Sequence, residues 1–144
     1  MIKICLVIHS LGIGGMERVM HQLAVNFGAR EHVKVHLVLI GIEREIAYDL
    51  PASIVIHKPD FQFRNSRRSF DTLRTMLFLR KQVKQINPDT VLSFGEYWNN
   101  LVLLSLFGLP YPVYISDRSE PNKDLGRGQN FLRNILYPSA AGYI

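Results

Sequence analysis

The side chains best suited to chemistry gather in three short stretches. The first, His9-Ser10-Leu11-Gly12-Ile13-Gly14-Gly15-Met16-Glu17-Arg18, sets an imidazole and a carboxylate on either side of a glycine-rich turn. Glycine leaves no side chain between backbone N–H groups and a ligand, and a helix starting behind the turn adds unpaired donors and partial positive charge. An anion fits there. The second stretch, Glu96-Tyr97-Trp98-Asn99-Asn100, combines a carboxylate, aromatic rings and amides, the groups that stack on and hydrogen-bond sugar rings. The third holds Asp117, Arg118 and Glu120, where Arg118 either meets an anionic ligand or pairs with its neighbours and fixes the loop. Two readings stand for each of the others. Glu17 binds a sugar hydroxyl or complements the helix dipole; His9 touches ligand or is a hydrogen-bonded structural residue; Trp98 stacks on ligand or fills core.

Several chemistries are poorly supported. Gly12 and Gly14 begin a G-x-G-x-x-G pattern that Glu17 breaks, and no Gly-Lys-Ser/Thr follows. His21, His32, His36 and His57 lack metal-ligand spacing, so no metal is expected, and no nucleophilic Ser or Cys elbow is visible. The net charge of +5 and pI near 9.6 favour anionic partners. Nucleic acid is not expected among them, because no RNA-binding, zinc-finger or helix-turn-helix pattern accompanies the charge. Cys5, the single cysteine, lies in an apolar strand pattern and reads as a buried inert thiol in a reducing compartment.

The elements that must position these groups alternate. Ile4 to Ile8 is a buried strand rather than a signal peptide, and Val19, Met20, Leu23, Ala24 and Phe27 give a helix stopping near Gly28. Val33–Ile40 and Ser53–His57 are the second and third strands, joined by the charged connector Glu43-Arg44-Glu45. Phe70, Leu73, Met76, Leu77, Arg80, Val83 and Ile86 trace the core face of a helix ending before Asn87-Pro88. Val91–Phe94 is the fourth strand, Trp98–Phe107 a packed helix, Val113–Ile115 the fifth strand, Phe131–Tyr137 a helix with Arg133 outward, and Ala140–Ile144 the start of a sixth strand. The apolar region from Leu101 to Ile115 contains Gly108, Pro110 and Pro112 and falls short of the roughly 20 residues of a spanning helix. The pattern predicts one α/β domain over 1–144, a Rossmann-like parallel sheet with helices on both faces. Its crevice, at the carboxyl ends of the strands, collects the loops after strands one, four and five.

Gly14-Gly15-Met16-Glu17-Arg18-Val19, followed by a helix with Leu23-Ala24, resembles the G-G-x-E-R signature of family 4 retaining glycosyltransferases, which have the two-domain GT-B fold. Asn87 to Phe94 is similar to that family's P-D-x-V strand entry, Ser116-Asp117-Arg118-Ser119-Glu120-Pro121 to the S-E-R-x-x-P segment of one subgroup, and Leu132–Tyr137 to the helix before the last strand. Two positions depart: Ser93 and Gly95 stand where many members have a histidine, and Ala141 where most have Asp. The resemblance implies the amino-terminal, acceptor-side domain of a nucleotide-sugar-dependent transferase, with the carboxyl-terminal donor domain absent and this chain inactive alone. It implies substrate-binding roles for His9, Gly14, Gly15, Glu17, Glu96, Asn99 and Arg118, with the catalytic group unassigned. No cofactor is expected, since the nucleotide-sugar is a co-substrate held mainly by the other domain. The implied acceptor is a saccharide or lipid-linked sugar, as in cell-envelope polysaccharide assembly, and the implied location is the cytoplasm. The residues alone also allow another reading, a non-catalytic Rossmann-like or flavodoxin-like module that holds a phosphate-bearing ligand.

A last expectation concerns membranes. Arg64 to Lys84 carries Arg64, Arg67, Arg68, Arg74, Arg80, Lys81 and Lys84 against the single acid Asp71. With its apolar stripe turned to the sheet, such a helix either docks on the anionic inner face of a membrane through charge alone or presents an ordinary solvated face.

Overall fold

A computed structural model describes residues 1–118 and 123–144. The elements run β1 (Ile2–Ile8), α1 (Gly15–Gly28), β2 (Val33–Leu39), β3 (Val55–His57), α2 (Arg68–Ile86), β4 (Thr90–Phe94), α3 (Glu96–Leu106), β5 (Val113–Ser116), α4 (Arg127–Leu136) and β6 (Gly142–Tyr143). They form one parallel sheet ordered β3-β2-β1-β4-β5-β6, the Rossmann-like arrangement that the alternation predicts.

The apolar run Cys5-Leu6-Val7-Ile8 is fully buried because β1 has a neighbour on both edges and helices over both faces. Alternate residues divide between two cores. Cys5, Val7, Val38 and Ile115 meet Leu79 and Val83 of α2, Val102 and Leu106 of α3 and Leu136 of α4. Leu6, Ile8, Leu37 and Phe94 meet Met20 and Ala24 of α1 on the other face. Burial pushes the Cys5 thiol up to about 12, which leaves it protonated and unreactive at neutral pH. Strand order reverses where β1 meets β2 on one side and β4 on the other. The chain turns after β1 and β4 therefore open on a shared crevice.

Four local expectations are corrected. On α2 the buried stripe is Asp71, Thr75, Leu79, Val83 and Ile86, whereas Phe70, Leu73 and Leu77 stand 56%, 52% and 59% exposed. Polar anchors turn the helix. The Asp71 carboxylate accepts a hydrogen bond from the Arg64 N–H at 2.8 Å, and the Thr75 hydroxyl donates to the Asp71 carbonyl at 2.8 Å, so both residues enter the interior satisfied.

The second concerns the charged connector Glu43-Arg44-Glu45, whose Arg44 is buried. Its Nε donates to the Gly41 carbonyl at 2.8 Å and its Nη1 to the carbonyl of Phe61, clipping the segment after β2 to the segment after β3. The same connector pairs with the glycine turn, through Leu11 N–H to the Glu45 carbonyl at 2.7 Å.

Third, α3 begins at Glu96, two residues before its apolar pattern, so Glu96 and Tyr97 are helical and not loop. Fourth, α4 begins at Arg127. The Asp124 carboxylate, accepting from the Gly126 N–H at 2.9 Å and the Asn130 amide, organises that turn ahead of the apolar residues. Phe131 and Ile135, not Arg133 alone, face outward from it. Among the described residues, no helix is long and apolar enough to cross a membrane.

Candidate functional site

The crevice is built from the ends of β1 and β4 and the helices they launch. At the end of β1, His9 Nε2 lies 2.9 Å from Glu17 Oε1, a carboxylate in the first turn of α1. Glu17 folds back over the helix start. A Cβ added to Gly14 would come 2.2 Å from Glu17 Oε2, so the carboxylate fills the space that any side chain at Gly14 would need. At Gly15 an added Cβ would meet nothing within 4 Å. The two glycines therefore differ: Gly14 makes room for Glu17, while Gly15 leaves open space before the helix. Gly14 caps the helix without any side-chain hydrogen bond, so the first-turn N–H groups that point forward have no capping side chain. Glu17 both complements the helix dipole and pairs with His9.

Gly95 joins this turn to α3. Its φ of +99° belongs to the region that glycine tolerates and L side chains rarely adopt, and a Cβ there would meet the Met16 sulfur at 3.4 Å and the Trp98 ring at 3.5 Å. The starts of α1 and α3 thus touch across a bare backbone. This closeness lets the His9 ring stack on Trp98, with centroids 5.9 Å apart and planes 10° off parallel. Tyr97 meets the same indole edge-on at 5.9 Å. Glu96 is buried beside Lys123, whose Nζ is 3.4 Å from its carboxylate.

Asn99 has no exposed surface. Its Oδ1 accepts from the Ser93 hydroxyl at 2.7 Å and its Nδ2 donates to Asp117 Oδ1 at 2.8 Å; the Tyr137 hydroxyl donates to that same oxygen at 2.8 Å. Burial, with Asp117 beside it, pushes the Tyr137 phenol above its ordinary range, so it stays a donor. This network, buried at Ser93, Asn99 and Tyr137 and exposed at Asp117, ties β4, α3 and the turn after β5 to the 137–139 turn. Arg118 lays its guanidinium over the Phe94 ring at 4.7 Å from the centroid. Glu120 and the rest of the S-E-R-x-x-P-like segment through Pro121 lie outside the described residues.

His9, Gly14, Gly15 and Glu17 are thus brought together, with Trp98 as their floor. Glu96 and Asn99 sit in the adjoining first turns of α3, buried, and Arg118 lies at the end of β5. Sequence reasoning missed Ser93 and Tyr137 as members of the network. A hydroxyl inside the apolar strand Val91-Leu92-Ser93-Phe94 was the available signal, since a buried hydroxyl needs a partner. Among the described residues, no group of three or more His, Cys, Asp or Glu side chains is placed to hold a metal.

No protein-family model matches the chain. A curated protein of Campylobacter jejuni, GalNAc-alpha-(1->4)-GalNAc-alpha-(1->3)-diNAcBac-PP-undecaprenol alpha-1,4-N-acetyl-D-galactosaminyltransferase, is 30% identical over 150 residues, which cover 96% of this chain and 38% of that protein. The chain therefore spans well under half the length of this relative. Among solved structures, Acinetobacter baumannii MurG superposes with a TM-score of 0.65 at 18% identity, over 99% of this chain and 40% of that one. The structural likeness shows the Rossmann-like fold, and the sequence likeness joins nearly the whole chain to part of a glycosyltransferase.

Proposed function

We propose that this chain is the acceptor-side domain of a nucleotide-sugar-dependent, retaining glycosyltransferase of the GT-B kind, in which a second α/β domain supplies most of the donor site. The observation that carries this reading is the glycosyltransferase likeness along 96% of the chain, together with a glycine turn that opens on the crevice at the reversal of strand order. In such a reaction the acceptor hydroxyl oxygen bonds to the anomeric carbon while the bond to the nucleoside diphosphate breaks, and negative charge grows on the leaving oxygens. Open N–H groups before α1 suit that charge without reorganising. For the diphosphate to reach them, Glu17 must swing off Gly14. His9 and Trp98 then present a hydrogen-bonding and stacking wall to the acceptor sugar.

The acceptor favoured is lipid-linked, because the relative's name specifies an undecaprenyl diphosphate-linked saccharide. The test is direct: full-length protein, incubated with a panel of nucleotide-sugars and a polyprenyl diphosphate-linked oligosaccharide, should lengthen the acceptor by one sugar, read by mass spectrometry. An open reading frame that stops at Ile144, or no lengthening with any donor, overturns the proposal.

Docking at the inner membrane face belongs to the same reading, and the fold alters its physics. Phe70, Leu73 and Leu77 are exposed on α2 beside Arg67, Arg74 and Lys81, so shallow insertion accompanies charge. Each basic residue near an anionic leaflet contributes about 1 kcal/mol. The chain should co-sediment with anionic vesicles at low salt and ignore neutral ones. Arg67→Glu with Lys81→Glu should abolish binding, and Phe70→Ser with Leu77→Ser should weaken it several-fold. Unchanged binding by both double variants, or none by the parent, removes the membrane contact.

A further inference from the structure

Between α2, α3 and the start of α4 lies a cavity of about 240 Å³ that neither the glycine turn nor the His9–Glu17 pair lines. Its walls are Ile42, Phe63, Met76, Leu101, Leu104 and Leu132, and among the described residues Arg68 is the one charged side chain that lines it. Arg68 and Tyr97 are exposed, with the Arg68 Nη2 donating to the Tyr97 hydroxyl at 3.1 Å, whereas Ile40 and Thr75 at the other side are 1% exposed. The cavity is thus an apolar recess with one held cation on its solvent side. Trp98 lines it as well as supporting His9, so the recess and the crevice share a wall.

We propose that this recess receives the diphosphate-proximal stretch of an isoprenoid chain, with Arg68 meeting the phosphate; the inference rests on the lipid-linked acceptor proposed above and names where its lipid goes. A sugar ring would need several free hydrogen-bonding partners, and the buried polar side chains of the lining, Thr75 and Asn100, are committed elsewhere. The Thr75 hydroxyl donates to the Asp71 carbonyl, and the Asn100 Nδ2 donates to the Gln129 carbonyl and Oε1 at 3.0 and 2.8 Å. Asn100 Oδ1 is unpaired but buried from solvent, so it presents no acceptor at the cavity surface. What remains is mainly aliphatic, thioether and aromatic surface, which accommodates methyl-branched hydrocarbon well. Charge complements the other end of the ligand, since Arg64 and Arg67 precede Arg68 in the chain. Leu73 and Leu77, exposed within a turn of Met76 on α2, extend apolar surface outward for the rest of the lipid.

Trp98 is the sole tryptophan, so its fluorescence reports occupancy of the recess without a label. Farnesyl diphosphate, titrated below its micelle concentration, should give a saturable change with a Kd at least tenfold below those of inorganic diphosphate and farnesol. Thr72→Phe, which fills the recess from α2, and separately Ile42→Phe should each raise that Kd at least tenfold with the melting temperature preserved. Arg68→Gln should weaken farnesyl diphosphate but not farnesol. Equal binding by both filled variants, no saturable response, or equally tight binding of linear dodecyl phosphate overturns the assignment. Transfer by the full-length protein separates the two proposals: Thr72→Phe that leaves KM for the lipid-linked acceptor unchanged sinks the recess alone, whereas parent protein that never transfers sinks the glycosyltransferase reading.

Discussion

Gly15→Val should lower kcat/KM for glycosyl transfer by the full-length protein by about 100-fold or more, the scale of losing a preorganised donor to developing charge, while the domain still folds. Open space lies where a Cβ on Gly15 would stand, so the first atom of a new side chain meets no neighbour within 4 Å. It would instead stand in the solvent-filled approach to the first-turn N–H groups of α1, where the diphosphate of the proposed reaction must lie. Helix propensity does not oppose the change, since valine is less unfavourable than glycine in a helix. Activity and melting temperature measured on the same samples separate the outcomes. Unchanged activity removes the turn from the site, and an unfolded variant shows that the glycine serves only the turn. Gly14 gives a contrast: there even alanine collides with the Glu17 carboxylate and drives it off its position near His9.

The second large effect is on stability. Asn99→Ala should cost about 3 kcal/mol, because it strips partners at once from the buried Ser93 hydroxyl and from the Asp117 carboxylate. For a domain of this size that lowers the melting temperature by about 10 °C. Ser93→Ala removes only one end of the network and should cost about 1 kcal/mol. A fall of under 2 °C for Asn99→Ala would show that water replaces the amide, and would end the claim that this network holds the β4 and β5 turns together.

Both predictions concern residues that sequence reasoning had already singled out, but for different reasons. Gly15 was legible because a strand, a glycine turn and an amphipathic helix in that order leave little choice of backbone, and the resemblance of Gly14 to Val19 to a known signature pointed to the crevice. Asn99 was picked as a sugar-binding amide. The structure places it inside α3, fully buried, and nothing local to Glu96–Asn100 shows that Ser93, Asp117 and Tyr137 converge on it from other elements.

Local pattern was enough for the alternation of strands and helices, the parallel sheet and the position of its crevice. Apolar runs with period two or four report directly on which segments must be covered, and short connections leave one handedness of crossover. The facing of α2 was beyond that reach. Its sequence sets Phe70, Leu73 and Leu77 about two-fifths of a turn from Leu79, Val83 and Ile86, and the choice fell to Asp71 and Thr75, which enter the interior because Arg64 and the helix backbone satisfy them. That rotation turns Phe70, Leu73 and Leu77 to solvent, and it sets Thr72, Thr75 and Met76 against α3 around the recess. Helix periodicity records which residues are apolar, but hydrogen bonds between distant segments decide which apolar residues the core takes.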